Sequence, residues 1–250
     1  MLRVRLRRAR PRAAGAVPMC RTVCCALALL ASAGRAAGAQ LPDLPAAQSG
    51  FPAPGFALAL NGGRGSGRSV GSLAGATGAR RLQFTAAVGL PGAPAGFARS
   101  GVSAAGRLAL RLYRTPRLGV AAFAGYGAER LRLVDPAAAG STPIDGRPKG
   151  AFVQVPAGIS AGYRGLVGER PYALSVAPMV RYTRWKILDS TRTRTAPRVA
   201  ALAELALTPR VGVGVAAEAG AGGPAGSPLA GQRATLAAGI SYAFQRAVAR

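Results

Sequence analysis

Residues 231–244, GQRATLAAGISYAF, place an apolar side chain at every second position and finish on Tyr242 and Phe244. A period of two is that of a β-strand, whose successive side chains point to opposite faces. Only QRAVAR follows, and the 250-residue chain holds 33 Lys and Arg against 8 Asp and Glu, a net charge of +25. So basic a chain must find a dry place for one face of its last strand.

The same period recurs upstream. In 82–90, Leu82, Phe84, Val88 and Leu90 oppose Gln83, Thr85 and Gly89, and in 104–114 Leu108, Leu110 and Leu112 alternate with Arg107 and Arg111. Residues 118–130 continue the pattern, and in 151–163 Val153, Val155, Ile159 and Tyr163 face away from Gln154 and Ser160. Residues 171–183 set Tyr172, Leu174, Val176, Val180 and Tyr182 against Ser175, Arg181 and Thr183. In 198–207, Val199, Leu205 and Leu207 oppose Glu204, and in 210–220 Val211, Val213 and Val215 oppose Glu218. With the last stretch these are eight runs, most of about 9 to 13 residues, the length a tilted strand needs to cross a hydrocarbon layer. Strands of water-soluble sandwiches are usually shorter.

The charges say which face is which. Arg107, Arg111, Glu129, Arg181, Glu204 and Glu218 all share parity with the small or polar residues of their runs. A cation facing lipid near the midplane costs about 2 to 4 kcal/mol, so the apolar face is expected to point outward and the charges inward. A soluble β-sandwich with the apolar face as its core is the alternative that alternation alone leaves open. Inward residues that are mostly Gly, Ala, Ser and Thr suit a crowded lumen better than a solvated face. The six inward charges are expected to neutralise one another in ion pairs, because ions confined between barrel walls need partners. A gate or acid–base pair built from Glu129, Glu204 and Glu218 is the functional alternative.

Loop lengths support closure. The near copies TPRLGV (115–120) and TPRVGV (208–213) each supply a tight Thr-Pro-Arg turn, and RGLVGERP (164–171) a third. The opposite connections are expected at 91–103, 131–150, 184–197 and 221–232, so that short turns alternate with long loops. The resulting fold class is all-β: a closed antiparallel up-and-down transmembrane β-barrel of eight strands, with ten as the alternative.

Over residues 81–244 the chain resembles the small outer-membrane barrels of Gram-negative bacteria of the OmpA or OmpX type. The resemblance rests on the strand pattern and on the terminal ISYAF, which looks like the aromatic-ended signal read by the barrel-assembly machinery. In that family the aromatic is usually the last residue, whereas here QRAVAR follows it. The resemblance implies a monomer whose partners are outer-membrane lipid, lipopolysaccharide and, during insertion, that machinery.

Other features bear on export and chemistry. The first 39 residues carry eight arginines and no acid, then CCALALLASAG and a small-residue site at Ala37-Gly38-Ala39, the pattern of a signal peptide cleaved near Ala39. Removing it takes the charge from +25 to +17 and removes all three cysteines, Cys20, Cys24 and Cys25. With no histidine anywhere, the common nucleophile–base pairs and most transition-metal sites lack their residues. No catalytic role and no cofactor or metal is expected, and no nucleic-acid motif accompanies the basic charge.

Within the expected barrel, Arg130, Arg132, Arg147, Lys149, Arg184, Lys186, Arg192, Arg194 and Arg198 fall on the long-loop side, where guanidinium forks could meet lipopolysaccharide phosphates. Tyr163, Tyr172, Tyr182, Tyr242 and Phe244 are placed as an interfacial aromatic girdle. Residues 40–80 read as linker, with FALAL at 56–60 as a possible extra strand whose partner would lie near Val70, and 245–250 as a tail. The function expected is a structural, adhesive or envelope-integrity role with a filled lumen and a basic rim. A narrow channel or small-solute porin is the alternative if ten strands exist, and a soluble periplasmic β-sandwich binding protein the further one.

Overall fold

The computed structural model describes residues 44–52, 55–65, 68–79, 81–92, 97–133, 150–187, 190–225 and 233–244. Ten strands follow in chain order: β1 (Gly55–Gly65), β2 (Arg68–Ala79), β3 (Leu82–Pro91), β4 (Phe97–Arg114), β5 (Leu118–Leu133), β6 (Gly150–Val167), β7 (Arg170–Ile187), β8 (Ser190–Ala206), β9 (Val211–Gly220) and β10 (Ala234–Ala243). Each pairs antiparallel with the next, and β1 pairs with β10 from Ala57 opposite Ala243 to Gly65 opposite Thr235, closing the ring. Closure leaves no sheet edge through the body of the barrel.

The ring has ten strands, the alternative count and not the favoured eight, with 56–60 in β1 and Val70 in its partner β2 as that alternative required. The stretch NGGRGSGRSVGSLAGATGAR, read as linker, supplies the second half of β1 and all of β2. Outward on β2 stand Ser69, Gly71, Leu73, Gly75 and Thr77, and inward Arg68, Val70, Ser72, Ala74 and Ala76. Glycine and alanine occupy both faces, so the strand carries almost no amphipathic signal although its ladder to β3 runs unbroken from Val70–Pro91 to Ala79–Leu82.

The loop plan needs a second correction. Residues 184–197, expected as a loop, lie in β7 and β8, which pair continuously from Tyr172–Leu205 to Ile187–Ser190 and leave only 188–189 between them. Likewise β4 begins at Phe97, inside the expected loop 91–103. The alternation Thr191-Arg192-Thr193-Arg194-Thr195 is β-branched and strand-forming but has no apolar face, which a strand needs only where it meets lipid. Strands β4 to β8 run 16 to 18 residues and the other five 10 to 12, so one wall of the barrel stands taller on the loop side. The tight connections after β2, β4, β6 and β8, the start of β1 and the end of β10 share the opposite, turn side.

Burial sorts the two faces as the charges imply. Leu108, Val176 and Ile240 are about half exposed on the outside, whereas Arg107, Glu129, Arg181, Glu204 and Glu218 are buried within. This excludes the soluble sandwich, in which those leucines and valines would be enclosed between sheets. Between Tyr172 and Tyr182 every outward residue of β7 is apolar. Those ten steps of roughly 3.3 Å, inclined at about 45°, span roughly 23 Å, close to the apolar band of outer-membrane barrels.

Candidate functional site

The inner wall is lined by small side chains, among them Ala57, Ala59, Ala74, Ala109, Ala177 and Ala200, which leave room along the axis. Residues 44–52, LPAAQSGFP, occupy it, with 44–51 buried on every side. The segment descends from the β1–β2 hairpin level, where a Cβ on Gly63 would collide with Leu44, to the turn side, where Phe51 lies against Gly119 and Gly162. Leu44 packs with Ala59, Val70, Ala74 and Ala87, and Ala46 and Ala47 pack with Ala109, Phe123, Met179, Ala200 and Leu202.

The plugging segment forms no strand, so its backbone is satisfied by wall side chains, as buried peptide groups require. The Ala46 N–H donates to Glu218 Oε2 at 2.7 Å and the Gly50 N–H to Ser175 Oγ at 3.1 Å. Arg107 Nη1 donates to the Ala47 carbonyl at 2.7 Å and Ser160 Oγ to the Gln48 carbonyl at 2.6 Å. Arg164 lies over the Phe51 ring, its guanidinium carbon 3.9 Å from the centroid, a cation–π contact. Backbone approach is closest at Gly50, Gly119 and Gly162: a Cβ on Gly119 would stand 2.5 Å from the Gly50 oxygen and 2.6 Å from a Phe51 ring carbon.

The inward charges pair, in a different pattern from any that spacing could suggest. Glu218 accepts from both Arg181 and Arg198, and Glu129 from Arg68 at 2.5 Å. Arg68 also donates through Nε to the Gly92 carbonyl at 3.0 Å. Arg107 reaches the plug, and Glu204 attracts Arg164 electrostatically. Arg111 is half buried, on the lumen side of β4 opposite Ala121. Arg68 and Arg164 were missing from the expected set. Arg68 lies in β2, within the stretch that reads as linker, while Arg164 has inward parity in β6 but falls in the expected turn 164–171.

The expected outer rim divides in two. Arg130, Arg184 and Lys186 are exposed on the outer face just beyond the apolar belt. The ladders place Arg130 opposite Ala151 and Ala151 opposite Lys186, and Arg184 opposite Thr193. Arg198, in contrast, points into the lumen and is buried with Glu218. Arg192 and Arg194 share its parity and donate to the Ala225 and Gly223 carbonyls at 2.7 and 3.1 Å, holding the segment after β9. These three are corrected from lipid-facing rim to inner-side struts: their even numbering continues that of inward Ala196 and Ala200. Arg132 pairs with Arg99 across β4 and β5, and Arg147 and Lys149 lie outside the described residues.

Tyr163, Tyr182, Tyr242 and Phe244 are exposed outward, and Tyr172 is half buried beside Tyr163 at 6.3 Å between centroids. Phe244 contacts Tyr242 at 5.1 Å and Phe56 at 5.3 Å, so the first strand joins the aromatic cluster at the seam with β10. Outward Tyr126 was not anticipated, nor was Trp185, which turns inward above the charge network and packs on Phe152 at 6.0 Å.

No protein-family model and no curated protein matches the chain. Among solved structures, Neisserial surface protein A is similar over 76% of this chain and 97% of its own, at 14% identity and a TM-score of 0.35. Ail, the attachment invasion locus protein of Yersinia pestis, in complex with the heparin analogue sucrose octasulfate, covers 76% and 99% at 12% identity and 0.35. The translocator domain of the autotransporter NalP from Neisseria meningitidis covers 76% and 87% at 11% identity and 0.41. With its closed ring, uncharged outer belt and charged, plugged interior, the chain has the fold of an outer-membrane β-barrel, built from ten strands.

Proposed function

We propose that the chain is exported, loses a signal peptide near Ala39 and resides in the bacterial outer membrane as a sealed, non-catalytic barrel with a structural, adhesive or envelope-integrity role. The observation that carries this reading is the occupation of the lumen by residues 44–52, anchored by four hydrogen bonds to the wall. Ten strands would otherwise enclose a wider space than eight, and the plug fills it, so the narrow-channel alternative does not describe this state. The loop side then faces outward, as expected when both barrel termini lie on the periplasmic side.

In this reading Arg130, Arg184 and Lys186 hold lipopolysaccharide phosphates. They sit where the apolar belt ends, and long cationic side chains at that height reach headgroups while their stems lie on the belt. At roughly 1 kcal/mol per cation near an anionic surface, neutralising all three should weaken binding roughly 100-fold. The test compares the native chain and R130Q/R184Q/K186Q for binding to lipopolysaccharide, with silence in planar bilayers as the companion readout for the native lumen. Equal binding by both proteins would overturn the lipopolysaccharide assignment, and discrete openings from the native protein would overturn the sealed lumen.

A further inference from the structure

The charges around the plug are unevenly divided. Buried inside the barrel are Arg68, Arg107, Arg164, Arg181 and Arg198 against Glu129, Glu204 and Glu218. The carboxylates of Glu129 and Glu218 are engaged toward the loop side by Arg68, Arg181 and Arg198. From mid-lumen to the turn-side mouth lie Arg107, Arg111, Arg114 and Arg164, where among the described residues Glu204 is the one buried carboxylate and Glu169 stands exposed in the turn after β6. Arg114 pairs with inward Gly119 across a bulge in β4, close enough to Arg111 and Arg164 for their charges to repel. Like cations gathered from the lumen to its mouth raise the local concentration of anions.

The plug covers this cluster. Its Ala47 carbonyl takes a hydrogen bond from Arg107 and its Phe51 ring lies beneath Arg164. Arg164 is 2% exposed, and its Nε has no hydrogen-bond partner among the described residues. A buried guanidinium N–H ordinarily finds an acceptor, and an aromatic face offers no lone pair to replace one. The segment also lies outside the strand ladder, held by side-chain bonds and packing.

We propose that residues 44–52 are a removable stopper over an anion-selective path, with Arg107, Arg111, Arg114 and Arg164 forming a site for small inorganic anions once the stopper leaves. This goes beyond the sealed, structural reading above by giving the same lumen a second, conducting state. The test is conductance in planar bilayers under an asymmetric KCl gradient, with chloride as the probe anion. Three proteins are compared after heat-modifiable migration confirms folding: the native barrel, a deletion of 44–52, and G119A. The added methyl of G119A cannot coexist with Gly50 and Phe51 in place, yet leaves every strand residue paired.

The native protein should be silent, while both variants should open in discrete steps and favour chloride over potassium several-fold. R111Q/R164Q in the deletion background should bring that ratio close to unity. G119A carries the test by itself should the deletion fail to fold. Folded variants that stay silent, or that favour potassium, overturn the proposal without touching the sealed-lumen reading. Openings from the native protein overturn that reading instead.

Discussion

Glu218 is the residue on which plug and wall both depend. Its carboxylate accepts from the Ala46 N–H, from Arg181 and from Arg198, and the ion-paired side chains are at most 3% exposed. Glu218→Ala leaves two buried guanidiniums without their carboxylate and a buried N–H without an acceptor. Breaking a buried pair costs about 3 to 5 kcal/mol. For a domain of roughly 150 to 250 residues each kcal/mol lowers the melting midpoint by about 2 to 4 °C, so the loss should be roughly 6 to 20 °C. The assay is the temperature at which the detergent-solubilised protein converts from its folded to its unfolded gel mobility. Glu218→Gln keeps an acceptor for Ala46 but removes the charge, and should lose most of the same stability. R181M/E218L/R198M, which removes the whole charge set at similar volume, should recover a large part of it, since replacing a buried ion cluster by apolar residues is often close to neutral. An E218A midpoint within about 3 °C of the native value would refute the reasoning, because that corresponds to only about 1 kcal/mol.

Three further outcomes follow from the same geometry. Leu110→Arg sets a cation on the lipid face and should destabilise the inserted barrel by about 2 to 4 kcal/mol in urea titration, whereas Ala109→Ser, its inward neighbour, should cost far less. Arg68→Met leaves Glu129 without the ion pair seen in the structure and should lower the melting midpoint, and R68M/E129L should be more stable than the single variant. Phe51→Ala removes the ring under Arg164 and should make the segment before β1 open to added protease while the barrel keeps its folded mobility, read by mass spectrometry of the fragments.

The legibility of the fold tracked the size of outward side chains. Strands β3 to β10 were visible because Leu, Val, Ile and Tyr alternate with Gly, Ser, Thr and charges. Strand β2 gives only the hint of a partner near Val70, because Gly71 and Gly75 face lipid as readily as Ala74 and Ala76 face the lumen, and a period of two needs contrast to be seen. The inward parity of Arg107, Glu129, Arg181, Glu204 and Glu218 was readable one strand at a time. Their partners were not, because pairing depends on register and tilt around the ring: Arg68 meets Glu129 across 61 residues of chain. Arg198 could have been assigned inward from the parity of Ala196 and Ala200, but its position in an expected loop hid the signal. The plug was invisible for another reason. LPAAQSGFP is a short, nonperiodic Pro- and Gly-containing stretch, and only the enclosing wall turns such a segment into a core.

Which solvent each face of the ring meets is measured most directly by a nitroxide scan of β7 from 172 to 182 in reconstituted vesicles, comparing collisions with lipid-soluble oxygen and with a water-soluble nickel complex. Labels at 174, 176 and 180 should be reached by oxygen and shielded from nickel, while those at 175, 177 and 179, facing the plugged lumen, should be shielded from both. Free access of nickel to both sets would contradict a closed, filled barrel with its apolar face in lipid.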